Sequence, residues 1–386
     1  MSILSIVSGK VYVGENGFKR TNLHIEDGQI ESMDLQIPNH TIIQLEANDK
    51  VLPGRIDGHI HGTHGFDVMD ARIEALEGIA SALPSEGTTS FLPTTMTAAD
   101  LDLEKALCTL QEYIASHNTR GKAEVIGIHL EGPFISPDKI GAQNPNYVQK
   151  PDLARFSHWN ERAGNQIKVV TVAPEIEGAL PFIEAITKRN VVASIGHSNG
   201  TYEEVQKGLA AGASQFTHLY NGMRGMHHRE PGVVGAAFLC RDILTEIITD
   251  GLHSAPEMVH FAYELKGREN LLMITDSMRA KCLNDGVYEL GGQNVRVNGD
   301  KATLEDGTLA GSVLTMQSAF MNMKTFTGAN LEDLIHMTSI NPAKQYGVYD
   351  RKGSIDIGKD ADLIILDEND DLKMTICRGQ IAYSKR

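Results

Sequence analysis

From residue 54 onward, short apolar or β-branched runs alternate with stretches whose apolar residues recur at helical spacing. Eight runs stand out, at residues 54–61, 88–94, 125–131, 169–175, 191–197, 215–219, 243–253 and 271–276. Amphipathic patterns at 73–83, 101–117 and 202–211 lie between them, and two more follow at 313–325 and 331–338. Repeated strand-then-helix units predict an α/β fold, a parallel (β/α)8 TIM-like barrel. The two chain ends read differently. Residues 11–13 and 22–25 are strand-like, with Asn16-Gly17 and Asp27-Gly28 as turn signals. Residues 353–358 and 361–366 again alternate or run apolar. Neither end has enough strands for a stable sheet alone. Both are therefore expected to form one small β-sandwich domain, residues 1–53 and 342–386, with the barrel, residues 54–341, inserted between them.

Composition narrows the class. The 386 residues are 41% hydrophobic and 22% charged, as in a globular protein, and no apolar run is long enough to span a bilayer. Residues 1–10 read as a first strand and not as a secretion signal. Cys108, Cys240, Cys282 and Cys377 are far apart in sequence, so reduced thiols in a cytoplasmic protein are expected. A net charge of −15 argues against nucleic-acid or membrane-surface binding, and an anionic substrate would need local cations.

Barrel enzymes carry their chemistry at the C-terminal ends of the strands. The predicted runs end in His59-Ile60-His61, His129-Leu130-Glu131, Gly196-His197, Thr217-His218, Gly251-Leu252-His253 and Thr275-Asp276. Metal-ligand residue types thus converge on one rim. His59 and His61 are two apart and share a strand face, which suits a metal clamp. His197 and His218 can complete the set, with Glu131 as the carboxylate that bridges or balances the charge; Glu175 is the one acid near the end of the fourth run. Asp276 can take a proton from a water that a metal has acidified and pass it to a leaving nitrogen. His129 lies one layer deeper and reads as a packing or supporting residue. His24, His40, His117, His158, His260 and His336 read as surface or packing residues, and His64 lies in a glycine-rich loop where substrate contact and a plain loop role are equally open.

The stretches 53–62, 129–134 (His-Leu-Glu-Gly-Pro-Phe), 195–198, 217–223 (Thr-His-Leu-Tyr-Asn-Gly-Met), 229–232 and 275–278 resemble the N-acetylglucosamine-6-phosphate deacetylases of the amidohydrolase superfamily. The similarity runs over essentially the whole chain, and the second and fourth stretches together are its specific part. It implies hydrolysis of N-acetylglucosamine 6-phosphate to glucosamine 6-phosphate and acetate. Glu131, His197 and His218 match the common metal ligands, and His59 and His61 the extra pair of members that hold two ions. One or two divalent ions are implied (Zn, Fe, Mn or Co). Asp276 matches the catalytic acid/base and His253 a histidine that polarises the acetyl carbonyl. Asn221, Gly222 and Arg229 match the phosphate-binding region, with His228 beside it, and Ala142 and Gln143 the sugar-contact loop. Many relatives carry His where Gln143 stands; Gln can hydrogen-bond a hydroxyl but carries no charge. In the family the arginine reaches in from a partner subunit, which implies a homodimer. Two other readings remain at this point. One is an amidohydrolase for a different amide, of the D-aminoacylase, dihydroorotase or deaminase type. The other is a catalytically inactive barrel that serves as a binding protein.

Overall fold

The computed structural model describes residues 3–33 and 41–385; His40 lies outside them. Eight strands run in parallel around the barrel: β1 (Arg55–Ile60), β2 (Thr88–Thr95), β3 (Ile128–Glu131), β4 (Ile167–Val172), β5 (Val192–Ile195), β6 (Gln215–Phe216), β7 (Leu244–Ile248) and β8 (Leu271–Ile274). The ring closes just past β8. There Asp276 N donates to His59 O at 2.9 Å and His61 N to Ser277 O at 2.9 Å. The predicted third run is split, because Gly127, at φ 155°, separates Glu124–Val125 from β3. Strands buried on both faces explain why these runs show no alternation of buried and exposed positions.

Helices close the outside of the barrel. The helix Tyr202–Ala210 starts at a reciprocal cap: Thr201 Oγ1 accepts from Glu204 N at 3.3 Å, and Glu204 accepts from Thr201 N at 2.8 Å. Its buried face carries Val205 and Gly208. A Cβ on Gly208 would stand 2.8 Å from the Pro174 side chain, so glycine is what lets this helix lie close to the β4 loop.

Both chain ends join in β-sheet. One sheet is ordered Gln380–Ser384, Leu372–Cys377, Leu363–Leu366, Lys50–Pro53, Lys10–Tyr12, Phe18–Arg20. A second sheet of four N-terminal strands packs on it through Leu4, Ile6, Leu23 and Ile25, against Val11, Val51, Leu363 and Ile365. Between barrel and C-terminal segment lies a buried charge cluster. Arg351 binds Glu124 with both guanidinium ends, at 2.8 and 2.9 Å, and Lys352 Nζ sits 2.6 Å from the same carboxylate. Burial would raise the Glu124 carboxyl, but Lys352 and Arg351 outweigh it and hold it down at about 2. A carboxyl depressed in the fold stabilises fully above its unfolded value and loses that contribution as pH falls toward the folded one. Glu124→Gln therefore costs on the order of 3 kcal/mol at neutral pH, and the difference from wild type shrinks between about pH 4.5 and 2. Denaturation curves of both proteins across that range check it.

One element was not anticipated from sequence. Three antiparallel strands, Gly286–Leu290, Gln293–Asn298 and Lys301–Thr303, follow β8 and pack through Leu290, Val295 and Ala302 onto Met96 and Met278. They bring Leu290, and beyond them Thr308 and Leu309, to the barrel mouth.

Candidate active site

Six of the strand-end residues meet around one carboxylate. Glu131 Oε1 lies 3.1 Å from His197 Nε2, 3.2 Å from His218 Nε2 and 3.5 Å from His59 Nε2. Its Oε2 lies 3.3 Å from His61 Nε2. Asp276 Oδ1 faces the same pair, 3.1 Å from His61 Nε2 and 3.5 Å from His59 Nε2. Two sets of three thus share one space: Glu131, His197 and His218, and His59, His61 and Asp276. The side chains face inward from positions just past the strands. His197, His218 and Asp276 have φ of 46°, 28° and 48°, a conformation that costs a non-glycine residue on the order of 1–3 kcal/mol. Backbone bonds hold it: His218 N donates to Glu246 Oε2 at 3.1 Å, and Asp276 N donates to His59 O.

The ring nitrogens that face away from this centre fix the tautomers. His61 Nδ1 meets Thr94 O at 3.1 Å, and His197 Nδ1 meets Lys139 O at 2.8 Å. Carbonyls only accept, so each Nδ1 carries the hydrogen and each Nε2 lone pair points inward. His59 Nδ1 likewise donates to Glu246 Oε2 at 3.0 Å. His59 Nε2 is buried with no hydrogen-bond partner, and His197 Nε2 and His218 Nε2 stand only 3.1 Å apart. Inward lone pairs from imidazoles backed by acceptors, gathered on carboxylates, are the donor set of a divalent cation site. Burial opposes a charge on His61, but Asp276 and Glu131 outweigh it and raise the imidazole to about 9. Burial would likewise raise Asp276, yet His59 and His61 bring it down to about 2.

The cavity above this centre has a volume of about 260 Å³. His61, Glu131, His197, His218, Asp276 and His253 line it, with Ala142, Gln143, Asn221 and Gly222 on the sides. Gly222, at φ 59°, passes so close to His197 that a Cβ would stand 2.9 Å from its Nδ1. His253 lies in the loop past β7 and not at the strand end. Its Nδ1 donates to Asp250 Oδ2 at 2.6 Å, and Asp250 outweighs burial in raising its pKa. Its Nε2 therefore remains for a group in the cavity.

Other expected positions fall elsewhere. His228 and Arg229 are exposed, bonded to each other at 2.8 Å, and do not line this chain's cavity. Gln143 lines the cavity, and its amide bonds to Glu131 and Thr97. Glu175 accepts from Ser198 Oγ and Asn199 N, each at 2.7 Å, and so orders the loop after β5. His129 is bonded to Thr171 Oγ1 at 2.8 Å and packs edge-on to His59, 4.6 Å between ring centres. His64 is bonded to Thr63 and lies off the cavity.

Three supporting acids escaped sequence reasoning. Glu246 backs His59 and the His218 backbone, and also accepts from Gln215 Nε2 at 2.7 Å. Asp250 orients His253. Asp57 accepts from Thr275 Oγ1 at 2.6 Å and from His59 N at 3.3 Å, tying the β1 clamp to the β8 end. The signal for Glu246 was an acid in the middle of the apolar run Leu244–Ile248.

A barrel with two histidine–carboxylate sets at its mouth defines a metal-dependent amide hydrolase, and the comparisons agree. The Amidohydrolase family profile matches residues 50–382, and the chain belongs to that family. It is 45% identical to the N-acetylglucosamine-6-phosphate deacetylase of Bacillus subtilis (strain 168), over 93% of this chain and 92% of the relative. It is 35% identical to the N-acetylgalactosamine-6-phosphate deacetylase of Escherichia coli O157:H7, over 92% and 96%. The crystal structure of the Thermotoga maritima N-acetylglucosamine-6-phosphate deacetylase superposes with a TM-score of 0.89 at 33% identity, over 99% of this chain and 100% of that one.

Proposed function

We propose that the chain hydrolyses the acetamide of N-acetylglucosamine 6-phosphate, releasing acetate and glucosamine 6-phosphate. The observation that carries this reading is the approach of Asp276 and His253 to one cavity whose floor is the Glu131-centred imidazole cluster. The match to the Bacillus subtilis relative over nearly its whole length supports the substrate. Glu131, His197 and His218 would hold one divalent cation and His59 and His61 a second, with Zn, Fe, Mn or Co suited to imidazole and carboxylate donors. Such a cation supplies a Lewis acid and an acidified water.

The chain's own residues do the rest. Asp276, ionised in the fold, takes a proton from the attacking water at its carboxylate and gives it to the amine nitrogen as the C–N bond breaks. His253, held by Asp250, donates from Nε2 to the acetyl oxygen as negative charge develops there. Asn221 and Gly222 on the cavity side hold the phosphate end, so that the amide lies over the cluster.

Arg229 completes that pocket from a second copy of the chain. Beside Arg229 a groove of about 540 Å³ is lined by His228, Met226, Leu239 and Phe261. Met226 is 58% and Leu239 62% exposed, an apolar face suited to burial in a homodimer. No described helix is long and apolar enough to cross a membrane, and we place the enzyme in the cytoplasm with its phosphosugar substrate.

The test is acetate release from three sugars after metal loading. N-acetylglucosamine 6-phosphate should exceed unphosphorylated N-acetylglucosamine by at least about a hundredfold in kcat/KM, as expected where a phosphate anchors the sugar. Equal rates would remove the phosphate pocket. Faster release from N-acetylgalactosamine 6-phosphate would move the reading to the substrate for which the Escherichia coli relative is named.

A further inference from the structure

Gln143 is 3% exposed and both ends of its amide are hydrogen-bonded. Thr97 N lies 2.7 Å from one end of it. A backbone N–H only donates, so that end is Oε1 and the other is the NH2 group. That NH2 group donates to Glu131 Oε2 at 2.7 Å, with Met96 Sδ at 3.7 Å as its only other neighbour. One hydrogen is thus committed to Glu131 and the other meets only a weak sulfur acceptor.

The two oxygens of Glu131 are therefore unlike. Oε1 faces His197 and His218 most closely, with His59 at 3.5 Å, and accepts from no amide. Oε2, the oxygen nearer His61, already has one lone pair committed to Gln143. A carboxylate that served two cations through separate oxygens would offer one to each. Here one is offered freely, in a fixed orientation, and the other only in part.

We infer that Gln143 is a positioning residue for Glu131 that makes the two cation sites unequal, strengthening the Glu131–His197–His218 set and weakening the His59–His61–Asp276 set. Both effects have one source. A hydrogen bond to the far oxygen of a ligating carboxylate orients the near one, an outer contact typically worth about 10- to 100-fold in metal affinity. The same bond takes electron density and a lone pair from the oxygen that the second cation needs. The inference rests on the metal-dependent reading of the site, but not on the identity of the sugar.

The test is titration of metal-stripped protein with Co2+, followed by calorimetry and by the visible spectrum of the bound ion, without substrate. Gln143→Met removes donor and acceptor at similar length. It should narrow the ratio of the second to the first dissociation constant at least about tenfold. Gln143→Glu keeps the shape and replaces the donor with a carboxylate. It should narrow the ratio too, by tightening the second site. Met96→Leu, which removes only the weak sulfur contact, should leave the wild-type ratio. An unchanged ratio in both Gln143 variants would overturn the inference, and so would an equal change in Met96→Leu, which would make the effect one of packing. Failure of wild-type protein to bind any Co2+ would instead contradict the metal-dependent reading.

Discussion

Asp276→Asn is expected to lower kcat by roughly a thousandfold while KM changes little and the protein still holds a cation. A positioned acid/base contributes about 10²- to 10⁴-fold, and asparagine keeps the shape but cannot carry the proton. The role proposed for this carboxylate rests on its position. Its Oδ1 lies 3.1 Å from His61 Nε2, and the side chain reaches the cavity from a left-handed backbone position past β8. Glu131 also lines the cavity but is held among four imidazoles, while Glu246 and Asp57 are tied to His59 and Thr275 and do not line it. The Glu131–His197–His218 set does not include Asp276, so cation content should persist. Turnover and metal analysis of the same preparation check it; near-wild-type turnover would remove Asp276 from the chemistry.

Glu131→Ala should have the opposite pattern and a larger effect, with bound metal reduced at least about tenfold and acetate release near background. Four imidazole Nε2 atoms lie within 3.5 Å of this carboxylate. Without it the His197 and His218 lone pairs face each other with no anion between them, and His59 and His61 keep only Asp276. Circular dichroism separates this from unfolding. Wild-type metal content in the variant would show that the histidines alone suffice.

Much of this site was legible because a barrel converts sequence position into space. A histidine or acid that ends an apolar run must lie at the rim, so His59, His61, Glu131, His197, His218 and Asp276 could be grouped before any coordinates. The partners behind them could not. Glu246 stands mid-strand, where period and composition say only that an acid is out of place; its reason is His59, 187 positions away. Gln143 suggested a sugar contact only through the family resemblance, and its orientation is set by the backbone of Thr97, 46 positions away. Asp250 sits three residues before His253 and was readable as its support, had the seventh run been ended at Ile248 instead of His253. The three-stranded insertion was readable too. Alternation in residues 286–298, with Gly291-Gly292 and Asn298-Gly299 as turns, marks a meander, but it interrupts the strand–helix rhythm that defined the rest. Arg229 illustrates a different limit, since the role proposed for it, completing a neighbour's pocket, would leave no trace in the geometry of one chain.

The central claim is the reaction itself. The most direct measurement is proton NMR of the metal-loaded protein with N-acetylglucosamine 6-phosphate, following the acetyl methyl signal. The account predicts free acetate and glucosamine 6-phosphate appearing in equal amounts over many turnovers, and none after chelation. An unchanged acetyl signal with cation demonstrably bound would contradict it.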